Sequence, residues 1–197
     1  MPASPPTIAL FGTSADPPTQ GHRALLEGLL ALFPQVATWA SDNPLKQHGA
    51  PLAARTALLQ QLVAAIDDPR LQVVPELSSP WALETLARAR QRWPAAEPVF
   101  VVGSDLLPQI PHWRHTEAWL PGCQLAVVPR RGWPVAATDL RELEQRGGQL
   151  RVLPLEIPAS ASSDLRRDLA TGQGAAALPE ELWPVLLQHN LYGLHAP

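Results

Sequence analysis

Cysteine and lysine are nearly missing from this sequence of 197 residues, which contains one of each, Cys123 and Lys46. A single cysteine excludes an internal disulfide framework and any zinc site built from several cysteines. Charged residues make up only 17% of the chain, and the formal net charge is −3. Because nucleic-acid binders normally present a basic face, we predict that nucleic acid is not a partner.

Long apolar runs are missing as well. No stretch reaches the roughly 18 residues that a membrane span requires. The first twelve residues, MPASPPTIALFG, lack the basic flank and the long apolar segment of a signal peptide. We therefore expect no membrane partner and a cytoplasmic location. Hydrophobic residues make up 46% of the chain, which is sufficient for one core, so we expect a single domain over residues 1–197.

Six short apolar runs alternate with helical patterns along the chain. The predicted strands cover residues 7–11, 36–40, 71–74, 99–102, 124–128 and 150–155. The helical patterns between them cover residues 21–33, 52–66, 81–93, 116–120 and 138–146, and two more follow at 164–170 and 179–188. Continuous apolar strands are typical of a sheet covered on both faces. The alternation predicts an α/β fold, a doubly wound, Rossmann-like parallel sheet of about six strands with a C-terminal helical closure.

Glycine, hydroxyl and cationic residues follow several of the predicted strands. Gly12-Thr13-Ser14 follows the first strand, Gly103-Ser104-Asp105 the fourth, and Arg130 comes shortly after the fifth. In a parallel sheet these strand ends share one edge, which is where open α/β sheets bind ligands. The residues gathered at this edge therefore predict a ligand that carries phosphate.

The loop GTSADPPTQGH, residues 12–22, connects the first strand to the first helix. Its backbone N–H groups can line an anion site at the start of that helix. It is neither a Walker loop, because Gly-Lys-Ser/Thr is missing, nor a dinucleotide fingerprint, which needs three closely spaced glycines. What remains is Thr19-x-Gly21-His22, in which His22 lies in the first turn of the helix, beside the positive end of its dipole.

This loop resembles the signature Gly-Thr-Phe-Asp-Pro, then (His or Thr)-x-Gly-His, of the nucleotidyltransferase superfamily. Further segments resemble, in the right order, motifs of the bacterial nicotinate-nucleotide adenylyltransferases. These segments are NPLK (43–46), WALETL (81–86), VVGSDLLPQIPHW (101–113), VVPRRGW (127–133), and SASSDLRRDLATGQ followed by LPEELWPVLLQHNLYG (160–173 and 178–193). Each match alone is weak, but six in order span nearly the whole chain.

The chain departs from the family pattern at several motif positions. The first loop is one residue longer, with Ser14-Ala15 where a single Phe is expected. The substitutions are Phe11 for Gly, Thr19 for His, Leu45 for His, Ala82 for Thr and Ala161 for Ser. These changes concern details of substrate contact rather than the class of reaction.

The resemblance implies transfer of an adenylyl group from ATP to nicotinate mononucleotide, a step of NAD synthesis. Catalysis of this kind is positioning together with neutralisation of charge on phosphoryl oxygens. The residues implied as catalytic are His22 and Thr19 on the α- and β-phosphates, Lys46 between the reacting phosphates, and Arg166 on the departing phosphates.

Contacts to both substrates are implied by the same motifs. The ATP-binding residues would be Gly12, Thr13, Ser14, Gly21, His22, Gly103, Asp105, Ser162, Ser163 and Arg166. The residues for nicotinate mononucleotide would be Asn43, Lys46, Trp81, Ala82, Trp113 and Arg130. Some of these have a structural alternative: Asp105 can cap the following helix, Ser162 or Ser163 can cap theirs, and Trp81 can be a core residue.

Mg²⁺ is expected only as the ion carried with ATP. No cluster of ligands in the sequence predicts a tightly held metal, and we interpret His112 and His115 as surface residues. The oligomeric state stays open, with a homo-oligomer among the options. Two other functions also stay open. One is a same-fold adenylyltransferase that accepts nicotinamide mononucleotide or phosphopantetheine, and the other is a nucleotide-binding module without turnover.

Overall fold

The computed structural model describes residues 5–43, 46–158, 162–171, 173 and 175–194. Within these residues the strands are β1 (Thr7–Thr13), β2 (Gln35–Ala40), β3 (Leu71–Val73), β4 (Glu97–Gly103), β5 (Gln124–Val128) and β6 (Gln149–Val152). The α-helices are α1 (Gln20–Leu32), α2 (Leu52–Ile66), α3 (Ala82–Arg92), α4 (Thr116–Trp119), α5 (Ala137–Gln145), α6 (Ser162–Ala170) and α7 (Trp183–Gln188). None of these helices is long and apolar enough to cross a membrane. Leu45 and Ala161, two of the motif substitutions, lie outside the described residues.

The six strands form one sheet in the order β3-β2-β1-β4-β5-β6, and every neighbouring pair is parallel. The chain winds outward from β1 to β3, then returns to β4 beside β1 and winds outward in the other direction. This confirms the predicted doubly wound parallel sheet. The winding reverses between β1 and β4, and open α/β sheets bind ligands at the carboxyl ends of the strands where this happens.

Hydrophobic residues cover both faces of the sheet, which explains why the strands are continuously apolar. In β1, Ala9 faces a core formed with α1, α2, α6 and α7. Its neighbours Ile8 and Leu10 face a second core, formed with α3, α4 and α5. The two cores hold the strands in place, and so fix the loops at the carboxyl edge of the sheet.

Two prolines account for the main differences from the predicted elements. The sixth strand was expected to extend to residue 155, but β6 ends at Val152, two residues before Pro154, which has no N–H for the ladder. The helix predicted over 179–188 consists of a 3-10 turn, Glu180–Leu182, followed by α7. Pro184 lies in the first turn of α7, where a missing N–H costs nothing, and so favours a helix start there.

Candidate active site

The loop after β1 brings His22 to the first turn of α1. Thr19 is the N-cap residue of this helix, with φ −119° and ψ 170°, and both Thr19 and Gly21 are buried. The backbone N–H of Thr19 donates to Nδ1 of His22 at 3.0 Å, and the Thr19 hydroxyl lies 2.9 Å from the same nitrogen. On the other side of the ring, the hydroxyl of Thr13 lies 2.8 Å from Nε2. His22 is therefore held through both ring nitrogens.

These contacts define the tautomer of His22. A backbone N–H can only donate, so Nδ1 is the acceptor, and in the neutral ring the proton lies on Nε2. Burial is the main effect that lowers the pKa of His22 from 6.5 to about 4, and the positive charge of Arg130 lowers it further. At neutral pH the side chain is thus an uncharged hydrogen-bond donor through Nε2, suited to an oxygen that carries negative charge.

The rest of the first loop is fixed by packing and by a buried cation. The indole of Trp39 packs against Gly12 and lies 2.7 Å from the position that a Cβ would occupy. Packing in the core therefore explains why a glycine is present here. The carbonyl of Ser14 accepts a hydrogen bond from Nη1 of Arg55 at 2.8 Å. Arg55 is only 1% exposed and also donates to the carbonyl groups of Ser41 and Ala50, so it joins the loops after β1 and β2.

Gly103 and Asp105 lie at the carboxyl end of β4, the neighbour of β1 in the sheet. Gly103 is the N-cap of the 3-10 turn Ser104–Leu106, so Asp105 does not cap it. A Cβ on Gly103 would lie 2.4 Å from Oδ1 of Asp105 and 2.8 Å from Cδ of Arg130, so a larger residue there would require both side chains to shift. Nη1 of Arg130 donates to Oδ2 of Asp105 at 2.9 Å. In the part of the chain that the structure describes, Oδ1 of Asp105 is buried without a hydrogen-bond partner.

The N-terminus of α6 docks against the first loop. The hydroxyl of Ser162 donates to the carbonyl of Pro17 at 2.9 Å, and so links the two segments. Nη1 of Arg166 donates to the backbone carbonyl of Asp16 at 2.5 Å and to its carboxylate Oδ2 at 3.1 Å. Ser163 is exposed. The structure thus brings the predicted cation Arg166 to the loop that carries His22.

Lys46 and Asn43 lie in the segment between β2 and α2. The backbone N–H of Lys46 donates to the carbonyl of Asn43 at 3.0 Å. Lys46 is exposed and Asn43 is half-buried. Arg55 and Asp16 tie this segment to the first loop, because Asp16 also accepts from the N–H groups that follow Lys46 in the chain, at Gly49 and Ala50.

The predicted aromatic residues have separate surroundings. Trp81 is the N-cap residue of α3, directly before the half-buried Ala82, and the guanidinium of Arg114 stacks on its ring at 4.6 Å from the centroid. A surface cleft of about 210 Å³ lies beside them, lined by Trp81, Leu83, Glu84, Arg114 and His115. Trp113 packs edge-on against Phe100, with ring centroids 6.5 Å apart, and against Trp119 at 5.9 Å.

Sequence reasoning missed three residues that connect this site: Asp16, Arg55 and Tyr192. Arg55 was detectable, because in the helical pattern it shares the spacing of Leu58, Leu59 and Leu62, the buried face of α2. Asp16 lies in the loop that was singled out, but its partners are distant in sequence. Tyr192 lies in the segment 178–193 that resembles a family motif, but its partner Asp16 is distant in sequence. No group of three His, Cys, Asp or Glu side chains suited to a metal was found among the described residues.

Comparisons with known proteins identify relatives of this chain. A family model described as cytidylyltransferase-like matches residues 10–168. A protein of Synechocystis sp. named "probable nicotinate-nucleotide adenylyltransferase" is 39% identical, over 94% of this chain and 98% of its own length. One of the same name from Rhodopirellula baltica is 31% identical, over 84% and 83%.

A solved structure shares the fold. The nicotinic acid mononucleotide adenylyltransferase of Plasmodium falciparum, complexed with NaAD, superimposes with a TM-score of 0.77 over 96% of this chain and 98% of its own. At 16% sequence identity this likeness supports the fold alone. The family itself is shown by the family model and by the two relatives in sequence. The chain therefore belongs to the cytidylyltransferase-like family and, within it, to the nicotinate-nucleotide adenylyltransferase group of nucleotidyltransferases.

Proposed function

We propose that this protein joins nicotinate mononucleotide and ATP to give nicotinate adenine dinucleotide and pyrophosphate. A 5′-phosphate oxygen of the mononucleotide forms a bond to the α-phosphorus of ATP. The bond from that phosphorus to the α,β-bridging oxygen breaks, and its electron pair leaves with pyrophosphate. The observation that carries the proposal is His22, held by Thr13 and Thr19 as a neutral donor where the winding of the sheet reverses.

The hydrogen-bond donors and cations at the site are suited to a reaction in which negative charge shifts toward the leaving pyrophosphate. His22 would donate a hydrogen bond from Nε2, which lies against Thr13 in this structure, to the phosphates as negative charge shifts toward the leaving group. Thr19, whose hydroxyl donates to Nδ1, would hold the ring in that orientation. Lys46 would lie between the two reacting phosphates, and Arg166 with the start of α6 would bind the departing phosphates. Mg²⁺ would enter with ATP as part of the substrate.

The nucleoside contacts are proposed from Asp105 and the aromatic residues. Oδ1 of Asp105 is buried and unpartnered within the described residues, which supports a role in accepting a hydrogen bond from a ribose hydroxyl. Trp81 and Trp113 supply aromatic surface for a pyridine ring. Arg130, predicted for the carboxylate pocket, pairs with Asp105 and lowers the pKa of His22. These two interactions favour a role for Arg130 near ribose and phosphate instead.

The function is tested by offering the purified protein ATP and Mg²⁺ with each of three acceptors while pyrophosphate release is followed. The acceptors are nicotinate mononucleotide, nicotinamide mononucleotide and phosphopantetheine. We expect release with nicotinate mononucleotide above the other two. Preference for the amide or for phosphopantetheine would overturn the substrate, and no release with any acceptor would leave only a nucleotide-binding module.

A further inference from the structure

Asp16 is a buried carboxylate that connects segments far apart in the chain. It is 1% exposed, and four donors reach its two oxygens. The hydroxyl of Tyr192 donates to Oδ1 at 2.7 Å, and the N–H of Ala50 to the same oxygen at 3.1 Å. The N–H of Gly49 donates to Oδ2 at 2.7 Å, and Nη1 of Arg166 to the same oxygen at 3.1 Å. Two donors on each oxygen fix the carboxylate firmly.

The three segments that Asp16 joins are the three that carry the proposed phosphate-binding cations and donors. Asp16 lies three residues before Thr19 in the first loop. Gly49 lies three residues after Lys46, and Arg166 lies in α6. Since a buried carboxylate is costly unless it is paired and hydrogen-bonded, these partners are held together strongly. Arg166 uses Nη1 for Asp16, which leaves Nε and Nη2 as donors for a phosphate.

Tyr192 is the only tyrosine in the chain and lies beyond residues 10–168, which the family model matches. It has a left-handed backbone conformation, with φ 55° and ψ 31°, which costs a residue other than glycine about 1–2 kcal/mol. Such a conformation persists only where surrounding contacts hold it. Burial, and the acceptor Asp16, raise the pKa of the phenol, so it stays a protonated donor. Its ring also borders Gly49, because a Cβ there would lie 3.0 Å from Cε1 of Tyr192 and 2.6 Å from Cδ of Arg166.

We propose that Tyr192 is a positioning residue for adenylyl transfer, which acts through Asp16 to hold Arg166 against the first loop. The proposal rests on the proposed function. Tyr192 itself touches no reacting atom. Its hydroxyl helps to fix one oxygen of Asp16, so that the other oxygen, which Gly49 also binds, faces Arg166 in one orientation. Without the hydroxyl, Asp16 loses one of its four donors, and the carboxylate holds the guanidinium less closely, although Arg166 keeps its bond to the Asp16 carbonyl.

The test is Tyr192→Phe, which removes only the hydroxyl. We expect the KM for ATP to rise and kcat to fall by about tenfold, because a small misplacement of a positioned group has a large effect on rate. In an Arg166→Ala background the same change should cause little further loss, because Tyr192 acts through Arg166. The matched control is Thr171→Val, which removes an exposed hydroxyl just after α6 whose one hydrogen-bond partner among the described residues is the carbonyl of Asp168.

Affinity for ATP with Mg²⁺, measured by calorimetry, separates this proposal from the proposed function. Weaker ATP binding by Tyr192→Phe than by wild type supports the positioning role even if no acceptor gives pyrophosphate. All variants are compared well below their Tm. A Tm that falls while KM, kcat and ATP affinity stay at wild-type values would reduce Tyr192 to a structural residue. An equal loss in the presence and absence of Arg166 would also overturn the proposal.

Discussion

The imidazole of His22 has little freedom, because hydroxyl or backbone groups engage both of its nitrogens. Replacing it by alanine removes the donor and leaves the hydrophobic face of α1 intact. We expect His22→Ala to lower kcat by about 10²- to 10³-fold, the usual effect of losing one donor to developing negative charge. Turnover and Tm of the variant are the measurements. His189→Ala is the control, since His189 is exposed at the end of α7. A near-wild-type rate would make His22 a helix-start residue without a role in turnover.

Stability should depend on pH through the same side chain. The folded pKa of His22, about 4, lies below the unfolded value of 6.5, so the unfolded chain binds a proton first as pH falls. The stability that the neutral His22 ring adds to the folded state is therefore complete above pH 6.5. It is lost between pH 6.5 and about 4, where the free energy of unfolding falls by at most about 1.4 kcal/mol per pH unit. Urea unfolding of wild type and His22→Asn at several pH values measures it. The difference between the two should shrink as pH falls, and a constant difference would contradict the assigned pKa.

The sequence predicted which side chains contact each other only where the partners are close in the chain. The Thr19-x-Gly21-His22 spacing predicts its own geometry, because three residues within one helical turn must meet. Asp16 and Tyr192 are 176 positions apart, and only the completed fold brings them together. Arg130 shows the same limit: its motif was found, but its partner Asp105 comes from a different strand end.

Secondary-structure elements were predicted well where the hydrophobic periodicity and the residues that end an element, such as proline, indicate the same boundary. The strand and helix patterns around α1, α2 and β5 match the structure to within a residue or two. The errors are at Pro154 and Pro184, where an apolar pattern continues across a residue that ends a strand ladder or restarts a helix. The hydrophobic periodicity predicts which residues are buried. Where an element ends depends on whether a backbone N–H is present to continue its hydrogen bonds, and proline has none.

The start of α3 offers a test of substrate choice. Arg114 stacks on Trp81, so its cation lies beside one of the residues proposed for the pyridine ring. We expect Arg114→Gln to raise the KM for nicotinate mononucleotide by about two- to fivefold, the size of an exposed ion pair, and to change the KM for the uncharged amide less. Steady-state kinetics with both mononucleotides measures the effect.

The matched control for Arg114 is Arg92→Gln. Arg92 stacks on Trp93 at 5.2 Å, at the opposite end of α3 from Trp81. This change should leave both KM values at wild type. If Arg114→Gln affected the acid and the amide equally, the arginine would support the pocket without distinguishing a carboxylate.

On the scale of the whole molecule, the alternation of strands and helices predicted a parallel sheet, but not its strand order. The order follows from where the chain returns after β3, which depends on long-range packing of β4 against β1. Once that order is known, the expected position of a ligand follows, because ligands in open α/β sheets bind where the winding reverses. The loops that meet there come from all parts of the chain.

Because these loops form the proposed ATP site together, ligand binding should stabilise the entire fold. ATP with Mg²⁺ at about 100 times its Kd should raise the free energy of unfolding by about 2.7 kcal/mol. Thermal or urea unfolding with and without nucleotide measures the increase. Adenosine, which lacks phosphates, should give less at the same concentration, and Arg166→Ala should respond less than wild type. An unchanged unfolding curve would exclude ATP as a ligand of the folded chain.

The bond between Asp16 and Tyr192 also has a consequence for biosynthesis. All six strands and α1 are encoded before residue 153, so a nascent chain can carry a complete sheet while its last helices are still in the ribosome. Asp16 and Arg166 then lack the hydroxyl that fixes them, because Tyr192 is translated well after β6, which ends at Val152. Under the proposed role of Tyr192, the site reaches its full catalytic rate only after α6, α7 and Tyr192 have joined the first core. Activity thus reports the docking of Tyr192, whereas formation of the sheet does not.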